Sequence, residues 1–513
     1  VTGSIVSASS FTEAQELDCD VCIVGSGAGG SVLAAGLVSR GLDVVMLEAG
    51  SHYTRKHFKG NQAWAFDHMY QERAGRATED LAITVLQGRS VGGSTTINWT
   101  TCYRTPDRIL AHWAEHHGVD GITPSIMGAH FDAVEHRLNI KEWPLESANG
   151  NNKVLLRGGE ALGWSPHALK RNVRGCVNSG YCGEGCPVDA KQGMAVSYLA
   201  DAVRDGLRII SNCEVESIGW RGRTAETVQG QALDPETDHP LGIGVTVRAK
   251  VIVNAGGSIN GPALLLRSGI EASGRVGKRT FVHPVAGVSG IYDEAIGPWA
   301  GAPQSVGCHH FSDRGPDKMG FFLEAAPLQP MLASTVGSLY GAEHATFMRQ
   351  LGNAGVVIAL GIDGLLPNDV GGEVVLKGDG RVALRYPIEQ PLIECLRASH
   401  KEMARCHLAA GAKEVATLHV TPVVIRSEAE LSKLDAAKYG AHEQSLFTAH
   451  VMGGCAMGGT AESSVVDSEL RMWDFDNLFV VDGSVLPTSL GVNPSETIYA
   501  LAHRARDRVA SAV

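Results

Sequence analysis

Apolar residues along the chain fall into two rhythms. Short unbroken runs at 21–24 and 44–47 have the length and continuity of strands buried on both faces of a parallel sheet. Between them, residues 31–39 are rich in alanine, leucine and valine, as a packed helix should be. The strand-type run recurs in LRIISNCEVESIGW (207–220) and in TVRAKVIVNAGG (246–257), with helices predicted at 198–207 and 262–268. Helical spacing of apolar residues marks 105–165, especially 109–113 and 131–138, and an amphipathic helix covers 392–410. Residues 285–440 are otherwise rich in strands and turns, and VVLKGDGRVALRY reads as a hairpin turning at Asp379 and Gly380. The tail reads as a strand, a glycine turn and a loop feeding a last helix behind Pro494, a favoured first-turn residue. There is no internal repeat and no low-complexity linker.

The polar positions at the ends of the first runs carry chemistry. Gly25, Gly27 and Gly30 follow the first strand in G-x-G-x-x-G spacing, and Glu48 closes the second. Gly25 allows a tight turn, Gly27 lets a pyrophosphate approach the backbone, and Gly30 lets the helix sit close on the strand. The helix N-terminus offers free N–H groups to phosphate, and Glu48 is placed to accept from a ribose hydroxyl. Strand, glycines, helix, strand and acid occur in order within 30 residues, the pattern of a dinucleotide-binding unit. A second backbone-rich cradle, GRSVGGSTTIN, spans 88–98. Residues 51–80, polar and without strong periodicity, read as an excursion over the cofactor with short helical pieces.

Composition adds limits. A chain of 513 residues with 44% hydrophobic and 19% charged residues is globular and long enough for two or three domains. A net charge of −11 argues against nucleic acid or an anionic membrane surface as partner. No apolar run approaches the roughly 20 residues that span a bilayer, and the polar, serine-rich opening shows no signal peptide. Eleven cysteines, an odd number thinly spread, favour free thiols and a reducing compartment, so a cytoplasmic location is expected. Cys19 and Cys22, three apart on one strand, face opposite sides and make a poor metal site. Cys176, Cys182 and Cys186, followed by Pro187, leave two readings open: three thiolates of an iron–sulfur cluster, or a loop of free or paired thiols beside the substrate entrance.

Five stretches, 21–50, 88–98, NAGGSINGPALLLRSGI (254–270), HVMGGCAMG (450–458) and NLFVVDGSVLPTSLGVNPSETIYALAHRA (477–505), resemble in order the glucose–methanol–choline (GMC) oxidoreductases, FAD-dependent enzymes that oxidise alcohols. HVMGGCAMG, the DGS…GVNP tail and FLEAAP (322–327) are most similar to bacterial cholesterol oxidase. The cysteine-rich segment resembles long-chain alcohol oxidases and multi-subunit sugar dehydrogenases. The resemblance implies an α/β fold: a Rossmann-like FAD-binding domain with a second α+β substrate domain built on an antiparallel sheet. The expected division gives 17–104, 190–284 and 441–513 to the FAD-binding domain. It gives 105–189 to a helical excursion and cysteine-rich loop on the cap side, and 285–440 to the substrate domain.

Within that framework His450, Asn493 and Glu324 are the expected catalytic residues: His450 as base, Asn493 orienting the substrate oxygen or capping the last helix, and Glu324 as a base of raised pKa or a buried structural acid. Cofactor contacts are expected from Gly25, Gly27, Ala28, Gly29, Gly30, Glu48 and Ala49. The second cradle contributes Arg89, Gly92, Gly93, Ser94 and Asn98. The remaining contacts are Val215, Ala255, Gly256, Asp482, Gly483, Asn493 and Pro494. Family members that tether FAD covalently use a histidine where this chain has Ile97, so FAD is expected to bind non-covalently. The expected reaction is oxidation of a lipophilic or bulky alcohol, with oxygen or another acceptor taking the electrons. A sugar dehydrogenase with an iron–sulfur relay and a lyase with redox-silent FAD are the alternatives. The oligomeric state is not legible.

Overall fold

Strands buried on both faces need cover on both sides, and the first sheet is built that way. In the computed structural model, which describes residues 3–336 and 339–513, parallel strands lie in the order Ser4–Ser7, Arg208–Ser211, Val44–Leu47, Gln15–Val24, Pro240–Asn254. Val21 pairs with both Val44 and Val251, and Ile252 with Leu478 of the short strand Leu478–Val480. Strands from three distant parts of the chain therefore share one core, closed on one side by the helices Ala28–Val38 and Ser495–Ala510. The N-terminal half of Pro240–Asn254 turns antiparallel to Thr224–Leu233, which pairs in turn with Cys213–Arg221.

The second large sheet is mostly antiparallel, in the order Val424–Ile425, Glu414–Thr417, Val285–Ile291, Ala354–Gly361, Phe321–Ala325, Val306–Cys308, Pro166–Ala168. Leu446–Thr448 joins Val285–Ile291 and pairs in parallel with Ile83–Val85. Alternation decides what each face does. Phe321, Leu323, Val357 and Ala359 pack in one cluster with Met403 and Ala404 of the helix Gln390–Ala409. Phe322, Ile358, Leu360 and Val285 belong to a second cluster on the opposite face. Glu324, paired with Ile358 and two residues from Phe322, is thereby carried onto that second, apolar face.

Three local expectations shift. The helix expected at 262–268 starts at Gly257 (Gly257–Arg267), because the Asp482 carboxylate accepts from Gly257 N–H at its first turn. Pro262 lies inside it at the cost of one backbone bond. The hairpin turn is wider than a two-residue loop: Lys377 and Arg381 bond across it, and Gly380 takes a φ of 80°, leaving Asp379 and Gly380 at the tip of a bulged turn. Pro494 stands just before the last helix, not in its first turn.

Candidate functional site

The two glycine cradles touch. Gly93 has a φ of 54°, and a Cβ there would lie 2.7 Å from Gly27 Cα. Gly27 itself faces open space, with nothing within 4 Å of a built Cβ. Gly30 packs on the strand instead, since its Cβ would meet Gly25 O at 2.2 Å. Ser26 joins the pieces: its hydroxyl donates to Glu48 Oε2 at 2.6 Å and accepts from Gly92 N–H at 2.9 Å. Glu48 also accepts from Ser26 N–H and Gly50 N–H, and burial raises its carboxyl above the usual range. At the same carboxyl edge of the strands, Asp482 Oδ1 accepts from Ser484 N–H and Oγ while Oδ2 accepts from Gly257 N–H.

These groups open into one continuous cavity of about 1120 Å³. Gly25, Gly27, Ala28, Gly29, Glu48, Ala49, Arg89, Gly93, Ser94, Asn98, Val215, Ala255, Gly256, Asp482, Gly483, Asn493 and Pro494 all line it. Gly30 and Gly92 do not: the first is a packing contact, and the second is a left-handed turn residue with a φ of 98°. Asn98 Oδ1 and Ser258 Oγ are buried without a protein partner. Ile97 is buried in the cavity wall. A glycine-lined floor, a helix N-terminus, a buried acid and unpartnered polar atoms make a cavity that fits a dinucleotide. Valine at Gly27 is compatible with its φ of −73° yet puts a branched side chain into that floor. G27V is expected to fold and to lose flavin affinity by about two orders of magnitude, roughly 2.7 kcal/mol, read as the flavin-to-protein ratio after gel filtration.

At the far end of the same cavity stand Glu324, His450 and Asn493, backed by Gln304. Glu324 Oε2 accepts from Gln304 Nε2 at 2.7 Å and from Asn493 Nδ2 at 3.5 Å, whereas Oε1 is buried and unpartnered. Thr101 Oγ1 in turn donates to Gln304 Oε1 at 2.7 Å, holding the amide so that its nitrogen faces the acid. Burial raises the Glu324 carboxyl to about 7, despite the two amide donors that pull it down. The same burial lowers His450 to about 4, so its ring is neutral at neutral pH.

His283 decides where the His450 proton sits. Gly491 N–H donates to His283 Nε2 at 3.1 Å. A neutral imidazole that accepts at Nε2 carries its proton on Nδ1, and burial keeps His283 neutral. His283 Nδ1 lies 3.2 Å from His450 Nδ1, so it donates there and His450 carries its own proton on Nε2. His450 Nε2 and Asn493 Nδ2, 3.3 Å apart, are then two donors with a common need for an acceptor between them. Apolar side chains line the rest: Val285, Ile358, Leu360 and Phe447 from the sheet, with Leu86 and Trp99.

His283, Gln304, Ser26 and Thr101 were not singled out from the sequence. His283 carried the same signal as Glu324, a lone polar residue in an apolar stretch (TFVHPVAG); Gln304 carried none. Cys176, Cys182 and Cys186 are free cysteines and half-buried as residues, and the Cys182 thiol accepts from Arg171 Nη2. Among the described residues, no group of three or more His, Cys, Asp or Glu side chains is arranged to hold a metal ion. The cysteine loop is instead pinned to the second cradle by Lys191, whose buried ammonium donates to Thr96 O, Asn98 O and Cys182 O.

A parallel-rich sheet with glycine cradles, an antiparallel-rich second sheet and a shared cavity define a two-sheet protein built to hold a dinucleotide. The chain belongs to the GMC oxidoreductase family: its N-terminal model matches residues 22–285 and its C-terminal model residues 376–502. The family uses FAD and acts on CH–OH donors. An uncharacterised GMC-type oxidoreductase of Mycobacterium tuberculosis is 32% identical over 500 residues, covering 96% of this chain and 76% of that protein. A long-chain-alcohol oxidase of Arabidopsis thaliana is 30% identical over 94% of this chain, which spans 66% of the plant protein's length. Among solved structures, pyridoxine 4-oxidase from Mesorbium loti (TM-score 0.68, 19% identity, 96% of this chain and 99% of that one) shares the fold. So does Aspergillus oryzae formate oxidase (TM-score 0.71, 14% identity, 98% and 99%). No described helix is long and apolar enough to cross a membrane.

Proposed function

We propose that this chain oxidises a lipophilic alcohol to the aldehyde or ketone, holding FAD without a covalent bond. FAD, when bound, supplies the hydride acceptor. The single observation that carries the reading is the pairing of two N–H donors with a near-neutral buried acid at one end of an apolar-walled cavity. The alcohol oxygen accepts from His450 Nε2 and Asn493 Nδ2, and its hydroxyl proton passes to Glu324 as the carbon gives up hydride. His450 therefore serves as donor, not as the base expected from its position alone, because His283 occupies its other nitrogen. The glycine cradles, Glu48 and Val215 are assigned to FAD. Ile97 offers no atom for a tether, which supports non-covalent binding. The apolar walls, and the likeness to a long-chain-alcohol oxidase, support a long-chain, terpenoid or sterol-like substrate.

Anaerobic mixing of the holoenzyme with long-chain, terpenoid, sterol, aryl and sugar alcohols tests this. Bleaching of the flavin by the lipophilic classes is the expected result, and readmitted air then distinguishes oxygen from another acceptor. A flavin that dithionite reduces but no alcohol bleaches would overturn the reading in favour of a redox-silent lyase.

A further inference from the structure

The proton that Glu324 takes up must leave, since the hydride carries away the electron pair and the next turnover needs the carboxylate back. Glu324 is wholly buried, and its Oε2 is held by two amides on the side of the substrate cavity. The other oxygen, Oε1, is buried and unpartnered. Three strands supply a row beside it. Gly307 pairs with Glu324 on one side and with His167 on the other, and directly opposed residues project on the same face of a sheet. Gly307 has no side chain, and the gap it leaves is filled from another part of the chain. A Cβ at Gly307 would lie 2.6 Å from Tyr103 Oη and 3.7 Å from His167 Nε2. Tyr103 Oη thus stands with Leu169 over Gly307, the residue between the acid's and the imidazole's strand positions, and it is 2.9 Å from His167 Nε2.

The direction of transfer follows from the partners. His167 Nδ1 lies 3.4 Å from Ser165 O, an acceptor only, so the ring proton sits on Nδ1 and Nε2 is free to accept. Tyr103 donates to it. His167 is partly exposed, and His309 stacks on both His167 (5.2 Å between centroids) and Phe322 (5.1 Å).

We propose that Tyr103 and His167 form the proton exit of the site. The protonated Glu324 gives its proton at Oε1 to Tyr103 Oη, directly or through one water, as the phenolic proton moves to His167 Nε2. The imidazolium then releases a proton to solvent and the phenol is regenerated, so one proton enters and one leaves. The assignment rests on Glu324 being the base in the reaction proposed above.

Two signals followed together in one anaerobic turnover test it: flavin absorbance, and a pH-indicator dye in weakly buffered solution, using an alcohol that bleaches the holoenzyme. In the unsubstituted protein, dye and flavin change together. Tyr103→Phe and His167→Ala should bleach within about twofold of that rate while proton release lags at least tenfold, and added imidazole should restore release in H167A alone. Release in step with bleaching in either variant overturns the route as drawn. Glu324→Gln separates the two claims. If E324Q bleaches at the original rate, the base assignment fails and the exit falls with it. If E324Q is slow while Y103F and H167A release in step, only the exit fails.

Discussion

Glu324→Gln is expected to slow reduction of the flavin by alcohol about a thousandfold while leaving flavin content unchanged, within the range by which a positioned general base speeds proton transfer. Glutamine keeps the shape of the side chain and can still meet Gln304 and Asn493, so the cavity is preserved and only proton uptake is lost. The pH dependence gives the sharper test. Burial raises the acid to about 7, and only the ionised form accepts a proton. The rate of bleaching in the unsubstituted protein should therefore rise about tenfold per pH unit below that value and level off above it. E324Q should show a flat profile over the same range. A rate that falls as pH rises through 7, or an E324Q profile that keeps the original shape, would place the base elsewhere. His450 would not produce this profile, because burial lowers it to about 4.

The dinucleotide half was legible because its signals are local. Gly25, Gly27 and Gly30 speak through spacing within one turn and helix, and Glu48 through its place at the end of the next strand. The strands themselves show as unbroken apolar runs because parallel strands are covered on both faces. The catalytic end was legible only in part. His450, Asn493 and Glu324 came from three stretches whose likeness to the GMC family carried them, and nothing in their spacing says that they meet. What was missed depends on contacts between distant strands. Gln304 meets Glu324 only because the strand that follows it, Val306–Cys308, pairs with Phe321–Ala325, and Tyr103 Oη reaches the space over Gly307 from a segment about two hundred residues away. His283 is informative in retrospect, but its meaning lies in one backbone N–H, that of Gly491, which no side-chain pattern records.

In the reading proposed above, that N–H is why His450 donates instead of serving as the base first expected, and it leads to the second large effect. In the proposed mechanism His450→Ala removes one of two donors to the substrate oxygen. Loss of such a donor from a buried site costs roughly 10²–10³ in rate, and His450→Ala should lose about that much in bleaching with flavin content intact. The pH profile separates a donor from a base. With Glu324 untouched, H450A should remain slow at every pH but keep the rise and plateau set by the acid. If His450 were the base, its removal would abolish that shape. His283→Leu supplies the complementary change: it frees His450 Nδ1, so the ring no longer has to carry its proton on Nε2. Selective ¹⁵N labelling of histidine should show the Nε2-protonated tautomer of His450 in the parent protein and a mixture in H283L, with bleaching slowed about tenfold, a loss of roughly 1.4 kcal/mol. An unchanged tautomer in H283L would mean that Asn493 and the cavity alone orient His450. In that case the chain from Gly491 N–H through His283 is a packing feature with no hold on the reaction.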